Sequence, residues 1–295
     1  MRWALVALGL AGWMAVWTGC GGGSTPPPPP PAPTGGGGGQ LGSGSSGGGS
    51  GSTAGGGSTQ QAEGWGHLTG RIVLKGAPPK PTPINVTKDQ EFCGKHNLVD
   101  ESIVVGPEGG LANVVIFVRT RNVKVHPELE ALKDKPVILK NENCRFEPRV
   151  VSVLVGQKLF VTNPDPVAHN TNISVPGGGG GGNYSIPANV PEPQDAYKFE
   201  FKLQQSRPVP VACNIHPWMK GYVVIRKNPY VAVTGKDGKF QIKNLPAGEL
   251  ELQLWHEKAD RLEIDGWPRG RKKITIKPDE TVDLGTIEVP LEKLQ

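Results

Sequence analysis

The sequence predicts an all-β protein with two β-sandwiches after a signal segment and a linker. Short β-branched or alternating runs recur from residue 65 onward, and Gly, Pro, Asn or Asp separates them. The one plausible helix covers residues 127–133, a turn or two. About 230 residues follow the linker, which is enough for a substantial core in one large or two small domains.

The N-terminus has the pattern of a secretory signal. A basic residue, Arg2, precedes an apolar run over residues 3–17, and small residues come immediately before Cys20. The run is about fifteen residues long, which suits a secretory signal and is short for a membrane span. We therefore expect residues 1–19 to be a signal peptide.

Residues 16–20, Val-Trp-Thr-Gly-Cys, resemble a bacterial lipobox. The resemblance implies that the signal is removed and that Cys20 becomes a lipidated N-terminus, anchored stably by several acyl chains. It predicts a lipoprotein of the cell envelope, periplasmic or anchored in the outer membrane. Plain secretion and an uncleaved anchor are the alternatives.

Residues 20–65 hold the expected lipidated Cys20 and then a linker that is almost entirely Gly, Ser, Thr and Pro. This composition cannot bury a core, so we expect a disordered tether. As a flexible coil, about 45 residues span roughly 35–40 Å. The tether would let the folded part search a volume above the membrane, although a plain spacer has the same composition.

The expected strands are short, and their spacing favours antiparallel sandwiches. They lie at residues 67–75, 112–119, 150–155, 158–162, 198–202, 221–226 and 273–277. The chain carries a formal net charge of +5, and its longest basic cluster, residues 269–273, is interrupted by Gly270. An ordinary solvated surface accounts for this balance, so no nucleic-acid binding is inferred.

Three potential metal ligands of different kinds lie three residues apart in one segment: Cys213, His216 and Met219. A cysteine thiolate, two imidazoles and a weak axial thioether make up a type 1, or blue, copper site. The second imidazole is expected from His169, which follows the strand at residues 158–162 by a few turn-forming residues. The pattern therefore points to one copper ion and to electron transfer.

This region resembles the cupredoxins, most closely the amicyanin- and pseudoazurin-like carriers. Residues 146–159 resemble the family's entry into the domain, and residues 163–170 its first-histidine loop. Residues 213–219 resemble the short ligand loop of amicyanin in length and ligand order. The resemblance covers residues 143–227 and implies a Greek-key β-sandwich that binds one type 1 copper.

The resemblance also implies a role for each site residue. His169 and His216 would bind through Nδ1. Cys213 would bind as thiolate and Met219 axially. Asn170 would pin the two ligand loops together through its side chain.

An apolar rim formed by Pro217 and Trp218 lies beside His216 in sequence. The ring edge of this histidine is usually exposed in cupredoxins, so the rim is a candidate electron entry point. The alternative is that Trp218 packs under the loop.

Each ligand taken alone has an ordinary alternative, as a core cysteine or methionine or a surface histidine. Zinc is disfavoured because thioether is a poor zinc ligand. A binuclear copper centre needs a second cysteine in the loop, and haem c needs Cys-x2-Cys-His; the sequence has neither. An oxidase or nitrite reductase would need further histidine ligands, and of the six histidines only His169 and His216 lie in motif context, so no enzymatic activity is expected.

Cys93 and Cys144 remain, in a chain expected to be exported. A disulfide between them is the simplest interpretation for an oxidising compartment. A second metal site is the alternative, because residues 93–96, Cys-Gly-Lys-His, have a ligand-like spacing of their own.

Residues 234–240 read Thr-x-x-Asp-Gly-x-Phe, and residues 245–248 read Leu-Pro-Ala-Gly. These features resemble a carboxypeptidase regulatory-like sandwich of the prealbumin (transthyretin) type. Asp237-Gly238 between alternating runs also predicts a hairpin. A strand at residues 255–257, Trp-His-Glu, is favoured over a metal or acid-base site there.

The opening strand of that module resembles residues 70–76, far upstream, with residues 112–118 as its second strand. We therefore expect its first part at residues 66–140, an inserted cupredoxin domain at residues 141–227 and its remainder at residues 228–295. A simple tandem is the alternative.

Together these features predict a membrane-tethered monomer that carries single electrons between a redox protein donor and acceptor. The alternatives are copper binding or sequestration, and a structural cell-envelope module with a vestigial site.

Overall fold

The computed structural model describes residues 63–295, and the expected signal peptide, Cys20 and most of the linker lie outside the described residues. The strands are β1 (Trp65–Lys75), β2 (Val115–Val118), β3 (Val137–Glu142), β4 (Arg145–Glu147), β5 (Val150–Leu154), β6 (Lys158–Thr162), β7 (His169–Ser174), β8 (Gly181–Ile186), β9 (Tyr197–Glu200), β10 (Val209–Ala212), β11 (Lys220–Arg226), β12 (Val231–Val233), β13 (Lys239–Pro246), β14 (Gly248–His256), β15 (Asp260–Arg261), β16 (Arg271–Ile276) and β17 (Thr281–Pro290).

Within residues 63–295, helical structure is limited to single turns. The α-helical turns are α1 (Gln90–Cys93) and α2 (Pro127–Glu130), and the 3-10 turns are Gly94–His96, Pro107–Gly109, Ala131–Asp134, Pro176–Gly178, Pro268–Gly270 and Leu291–Leu294. The helix expected at residues 127–133 corresponds to α2 and the 3-10 turn that follows it. Among residues 63–295, none of these helices is long and apolar enough to cross a lipid bilayer.

One sandwich is built from strands near both ends of the described chain. The sheet β13-β1-β17 packs on the sheet β12-β2-β14-β15, in which β16 also pairs with β14. In β1, Leu68, Ile72 and Leu74 point into the shared core, which is the alternation that a half-buried strand requires. Because β1 and β2 pair with strands after residue 230, the intervening strands β3 to β11 form a separate body.

That second sandwich consists of the sheets β5-β11-β10-β7-β8 and β4-β3-β6-β9. Leu159 and Val161 of β6 and Val223 and Ile225 of β11 belong to one buried apolar cluster between the two sheets. Cys213 and Met219 belong to the same cluster, so the ligand loop is joined to the core.

The two sandwiches pack against each other through a third apolar cluster. Val115 and Phe117 of β2 and Trp255 of β14 meet Val150 of β5 and Val224 of β11. All four residues of β2 are buried, because one face contacts the first core and the other face contacts the second sandwich. This two-sided burial explains why β2 reads as a continuous apolar run.

Polar contacts also cross this junction. Arg149 donates from Nε and Nη2 to the two carboxylate oxygens of Glu257, at 2.6 and 2.8 Å. Arg226 donates to the carbonyl oxygen of Val118 at 3.0 Å and stacks over the ring of Phe117.

His256, at the end of β14, is buried, and burial lowers its pKa to about 4.

The expected antiparallel pairing does not hold for three strand pairs. β1 pairs with β17, β3 with β6 and β5 with β11, all in parallel. Parallel pairing needs a long connection. Each of these pairs has other strands between its members in sequence, so the connection is long enough.

The prediction of a hairpin at Asp237-Gly238 is also wrong. β12 pairs with β2, whereas β13 pairs with β1, so this turn passes from one sheet to the other. Gly238 has a φ of +74°, and a Cβ there would lie 2.1 Å from the carbonyl oxygen of Ile72. Glycine is therefore required by a close approach to β1 and not by a hairpin.

We call the sandwich of the sheets β13-β1-β17 and β12-β2-β14-β15 the outer sandwich. Its first part is expected at residues 66–140, and the structure differs from this expectation in two ways. β3 begins at Val137 and pairs with β6, so the second sandwich starts before residue 141. Residues 76–114 add no strand to the sheets, and the isolated bridge that joins them to a sheet strand pairs Gly110 with Val73 of β1. Proline at positions 78, 79, 81 and 83 removes ladder donors there. Further along the segment, Cys93 is bonded to Cys144 between β3 and β4, so the segment leaves the first sandwich for the second.

We expect Glu257→Gln to destabilise the folded state by about 3 kcal/mol, because it leaves the largely buried Arg149 without its bidentate partner. Urea unfolding of the full-length protein measures the change. Glu249→Gln is the matched control, since it removes a carboxylate from the exposed Lys273 pair and should cost less than about 1 kcal/mol. Equal losses in the two variants would contradict the role given to the junction pair.

Candidate metal centre

Three buried side chains converge in the second sandwich: His169, Cys213 and His216. Their potential ligand atoms all lie within 4.8 Å of one another. His169 opens β7, and Cys213 directly follows β10, which pairs with β7 in antiparallel register. The pairing of these two strands therefore brings together the ligand loops that the sequence placed more than forty residues apart.

The donor atoms face one another. His169 Nδ1 lies 2.9 Å from His216 Nδ1, and Cys213 Sγ lies 3.7 Å from His216 Nδ1. These are the nitrogens through which the resemblance implies that the two imidazoles bind. One thiol and two imidazoles thus share one small space.

The ligand loop is closed by its own backbone. The amide of Met219 donates to the carbonyl oxygen of His216 at 2.9 Å, and the amide of Cys213 donates to the carbonyl oxygen of Met219 at 3.4 Å. Met219 is 2% exposed and packs in the same cluster as Cys213. The loop thereby holds the expected axial ligand in the core beside the thiol.

Asn170 joins the two loops, as the resemblance implies. Its Oδ1 accepts hydrogen bonds from the amides of Asn214 and Ile215, the latter at 3.3 Å. Its Nδ2 donates to Oδ1 of Asn183 on β8. One side chain therefore connects the first-histidine strand, the cysteine loop and a neighbouring strand.

Each imidazole is held at its remote nitrogen by a carboxylate. His169 Nε2 lies 2.9 Å from Asp165 Oδ2, and His216 Nε2 lies 2.7 Å from Asp89 Oδ2. An ionised carboxylate only accepts hydrogen bonds, so Nε2 carries the proton in both rings. The lone pair of each Nδ1 is then available to a metal.

Sequence reasoning missed both carboxylates. Asp165 lies four residues before His169 in the same loop, and that proximity could have identified it. Asp89 lies 127 residues from His216 in sequence, and no local pattern connects them.

The thiol environment favours the ionised form. Burial alone would raise the pKa of Cys213, but contacts with the imidazoles of His169 and His216 and hydrogen bonds from the amides of Asn170 and His216 lower it to about 6. Burial likewise opposes protonation of His169, but Asp165 and the nearby thiolate outweigh it and raise the pKa of that imidazole. The environment therefore favours the thiolate form of Cys213, which is the form that binds a metal.

The donor set fits copper. Type 1 copper binds a thiolate, two imidazoles and a weak axial thioether. The site offers the same set of donors, with the thioether buried beside the other three. A second grouping, of Cys144, Asp165 and His169, also lies within 4.8 Å. Its sulfur is bonded to Cys93 in a disulfide with an S–S distance of 1.98 Å, so neither cysteine offers a thiolate. Neither His256 nor His96 belongs to the groupings found in residues 63–295.

The prediction that the ring edge of His216 is exposed is wrong, because this residue is 0% exposed. The segment around α1 covers it through Asp89. Trp218 is partly buried, its ring centroid lies 5.1 Å from that of His216, and its Nε1 donates to the carbonyl oxygen of Cys144 at 3.2 Å. Pro217 and part of Trp218 remain at the surface beside the covered imidazole.

No family model and no curated protein matches the chain. Solved structures resemble part of it. A copper-containing nitrite reductase from Thermus scotoductus is 18% identical with a TM-score of 0.27, over 37% of this chain and 25% of that one. A reduced amicyanin variant is 18% identical with a TM-score of 0.26, over 37% and 97% of the two chains.

A purple cupredoxin from Nitrosopumilus maritimus is 22% identical with a TM-score of 0.24, over 31% of this chain and 99% of that one. This chain therefore spans about a quarter of the reductase it resembles.

We expect Asn170→Ala to lower copper affinity about 10–100-fold, because the two ligand loops lose their common anchor. Competition titration of the full-length protein against a copper chelator measures it. Asn172→Ala is the control: it removes the same groups from β7, where the side chain makes no hydrogen bond among the described residues. A loss of the same size in both variants would count against the anchoring role.

Proposed function

We propose that this protein is a type 1 copper protein that carries single electrons between redox partners. The observation that carries the proposal is the convergence of His169 Nδ1, His216 Nδ1 and Cys213 in one buried space. Met219, buried in the same cluster, completes the expected ligand set. Bound copper would supply a one-electron couple between Cu(II) and Cu(I).

The residues of the chain suit such a couple. Two hydrogen-bonded strands and the Asn170 anchor fix the ligand positions, so little rearrangement would accompany a change of charge. Asp165 and Asp89 orient the imidazoles. Burial of His169, Cys213 and His216 keeps water from the donors.

The same burial argues against catalysis on an organic substrate, which would have to reach the donor atoms directly. Their exposed fractions are 0%, 2% and 0% for His169, Cys213 and His216. A carrier needs only a nearby surface, and the partly exposed Trp218 beside His216 is the electron entry point in this proposal. Copper sequestration is the second candidate, because an enclosed thiolate site also suits tight retention of Cu(I).

The proposal includes attachment to a membrane through a lipid on Cys20. The sequence pattern of residues 16–20 and the Gly-, Ser- and Pro-rich linker support it. In this arrangement the chain is a monomeric lipoprotein of the cell envelope, and its tether lets the folded part reach a donor and an acceptor protein in turn.

Copper-loaded full-length protein is expected to show an intense blue band and a reversible redox wave, and Cys213→Ser is expected to abolish both, because the thiolate is the ligand responsible. Spectroelectrochemistry measures both properties. Asn214→Ser, at the exposed next position of the same loop, should keep them. Tight copper binding by the wild type without a reversible wave would favour sequestration instead.

Radioactive palmitate is expected to label the full-length chain in a bacterial host and to leave Cys20→Ala unlabelled, because the cysteine is the attachment point. The matched control is Cys213→Ser, which should be labelled like the wild type. Equal labelling of wild type and Cys20→Ala, or none in either, would rule out the proposed anchor.

A further inference from the structure

Asp89 has an unusual place at the start of α1. It is the residue before the helical turn, and its backbone is left-handed, with φ +47° and ψ +44°. An aspartate at this position normally caps the helix by accepting a hydrogen bond from a first-turn amide. Here the side chain makes no such bond. The less common backbone conformation and the missing helix cap indicate that the Asp89 carboxylate makes a different contact.

That contact is the remote nitrogen of His216. Asp89 Oδ2 lies 2.7 Å from His216 Nε2, and the Asp89 side chain is 41% exposed while the imidazole is 0% exposed. The carboxylate thus lies between the buried ring and the solvent. It closes the side of the imidazole that points away from the metal centre.

A disulfide holds this contact in place. Cys93, at the end of α1, is bonded to Cys144. The amide of Cys144 in turn donates to Asp165 Oδ2 at 2.9 Å, and this carboxylate binds His169. The two carboxylates that hold the two imidazoles are therefore connected to each other through one disulfide.

Apolar packing supports the same segment. Leu98 and Phe92 contact the disulfide, and Trp218 of the ligand loop belongs to the same cluster. Trp218 also donates to the carbonyl oxygen of Cys144. The covering segment and the ligand loop are thus packed together as well as joined by the hydrogen bond.

Resting on the proposed copper function, we propose that Asp89 is a positioning residue for His216 and that residues 89–93 form a strap, anchored by Cys93–Cys144, that closes the outer edge of this copper ligand. The strap fixes the ring orientation and keeps water from it. It also excludes direct contact between a redox partner and the ring edge.

The charge of Asp89 has its own effect. A negative carboxylate in contact with the ligand stabilises the more positive Cu(II) state relative to Cu(I), and so lowers the reduction potential. Asp89→Asn keeps a polar group of the same size but removes the charge. Asp89→Ala removes the contact altogether.

The experiment compares Asp89→Asn, Asp89→Ala and Glu91→Gln in the full-length protein. Glu91 is exposed on the same helical turn, and its substitution changes the net charge as Asp89→Asn does. The measurements are the reduction potential, the Cu(II) affinity, and the solvent exchange of the His216 Nε2 proton by nitrogen-15 NMR of the metal-free protein.

We expect Asp89→Asn to shift the potential to a more positive value and Glu91→Gln to leave it near the wild type. Asp89→Ala should lower Cu(II) affinity about 10–100-fold and accelerate exchange of the Nε2 proton. Equal potential shifts in Asp89→Asn and Glu91→Gln, or unchanged exchange in Asp89→Ala, would overturn the proposal.

The exchange measurement needs no copper, so it separates the two proposals. A wild type without a blue band but with fast exchange only in Asp89→Ala would refute the copper function and retain the strap. Should Asp89→Ala fail to fold, the reduction potentials of Asp89→Asn and Glu91→Gln still test the effect of the Asp89 charge.

Discussion

The antiparallel pairing of β7 with β10 is the constraint on which the candidate metal centre depends. It sets Ala212 opposite Asn172, so the first histidine strand and the start of the cysteine loop lie side by side. Asn170 then reaches across to the loop amides, and the amide of Asn170 donates to Cys213 Sγ. Without this register, the Cys213 thiol and the His169 imidazole would not lie next to each other.

A second layer of contacts determines what the converging donors can do. Carboxylates at the remote nitrogens leave both Nδ1 atoms free for a metal. Hydrogen bonds to Cys213 outweigh the effect of burial and favour the thiolate. The site is therefore prepared electrostatically by groups that would not touch the metal.

The outer sandwich contributes to the site as well as to the core. β2 lies between two apolar clusters, and Arg149 and Glu257 link the sandwiches across the junction. The long segment between β1 and β2 leaves the outer sandwich and supplies Asp89 and Cys93 to the metal centre. The part of the chain that flanks the ligand-bearing sandwich thus helps to enclose its ligands.

Local sequence patterns were enough to predict the all-β class, the strand Lys158–Thr162 and the ligand candidates of the 213–219 loop, because strand alternation and ligand spacing can be read within short segments. Tertiary packing sets the parallel strand pairs, the sheet-to-sheet turn at Gly238 and the covering of His216 by Asp89. The pairing partners and the carboxylate come from distant parts of the chain. Their contacts depend on which surfaces pack together, and no spacing within a short segment of sequence records that.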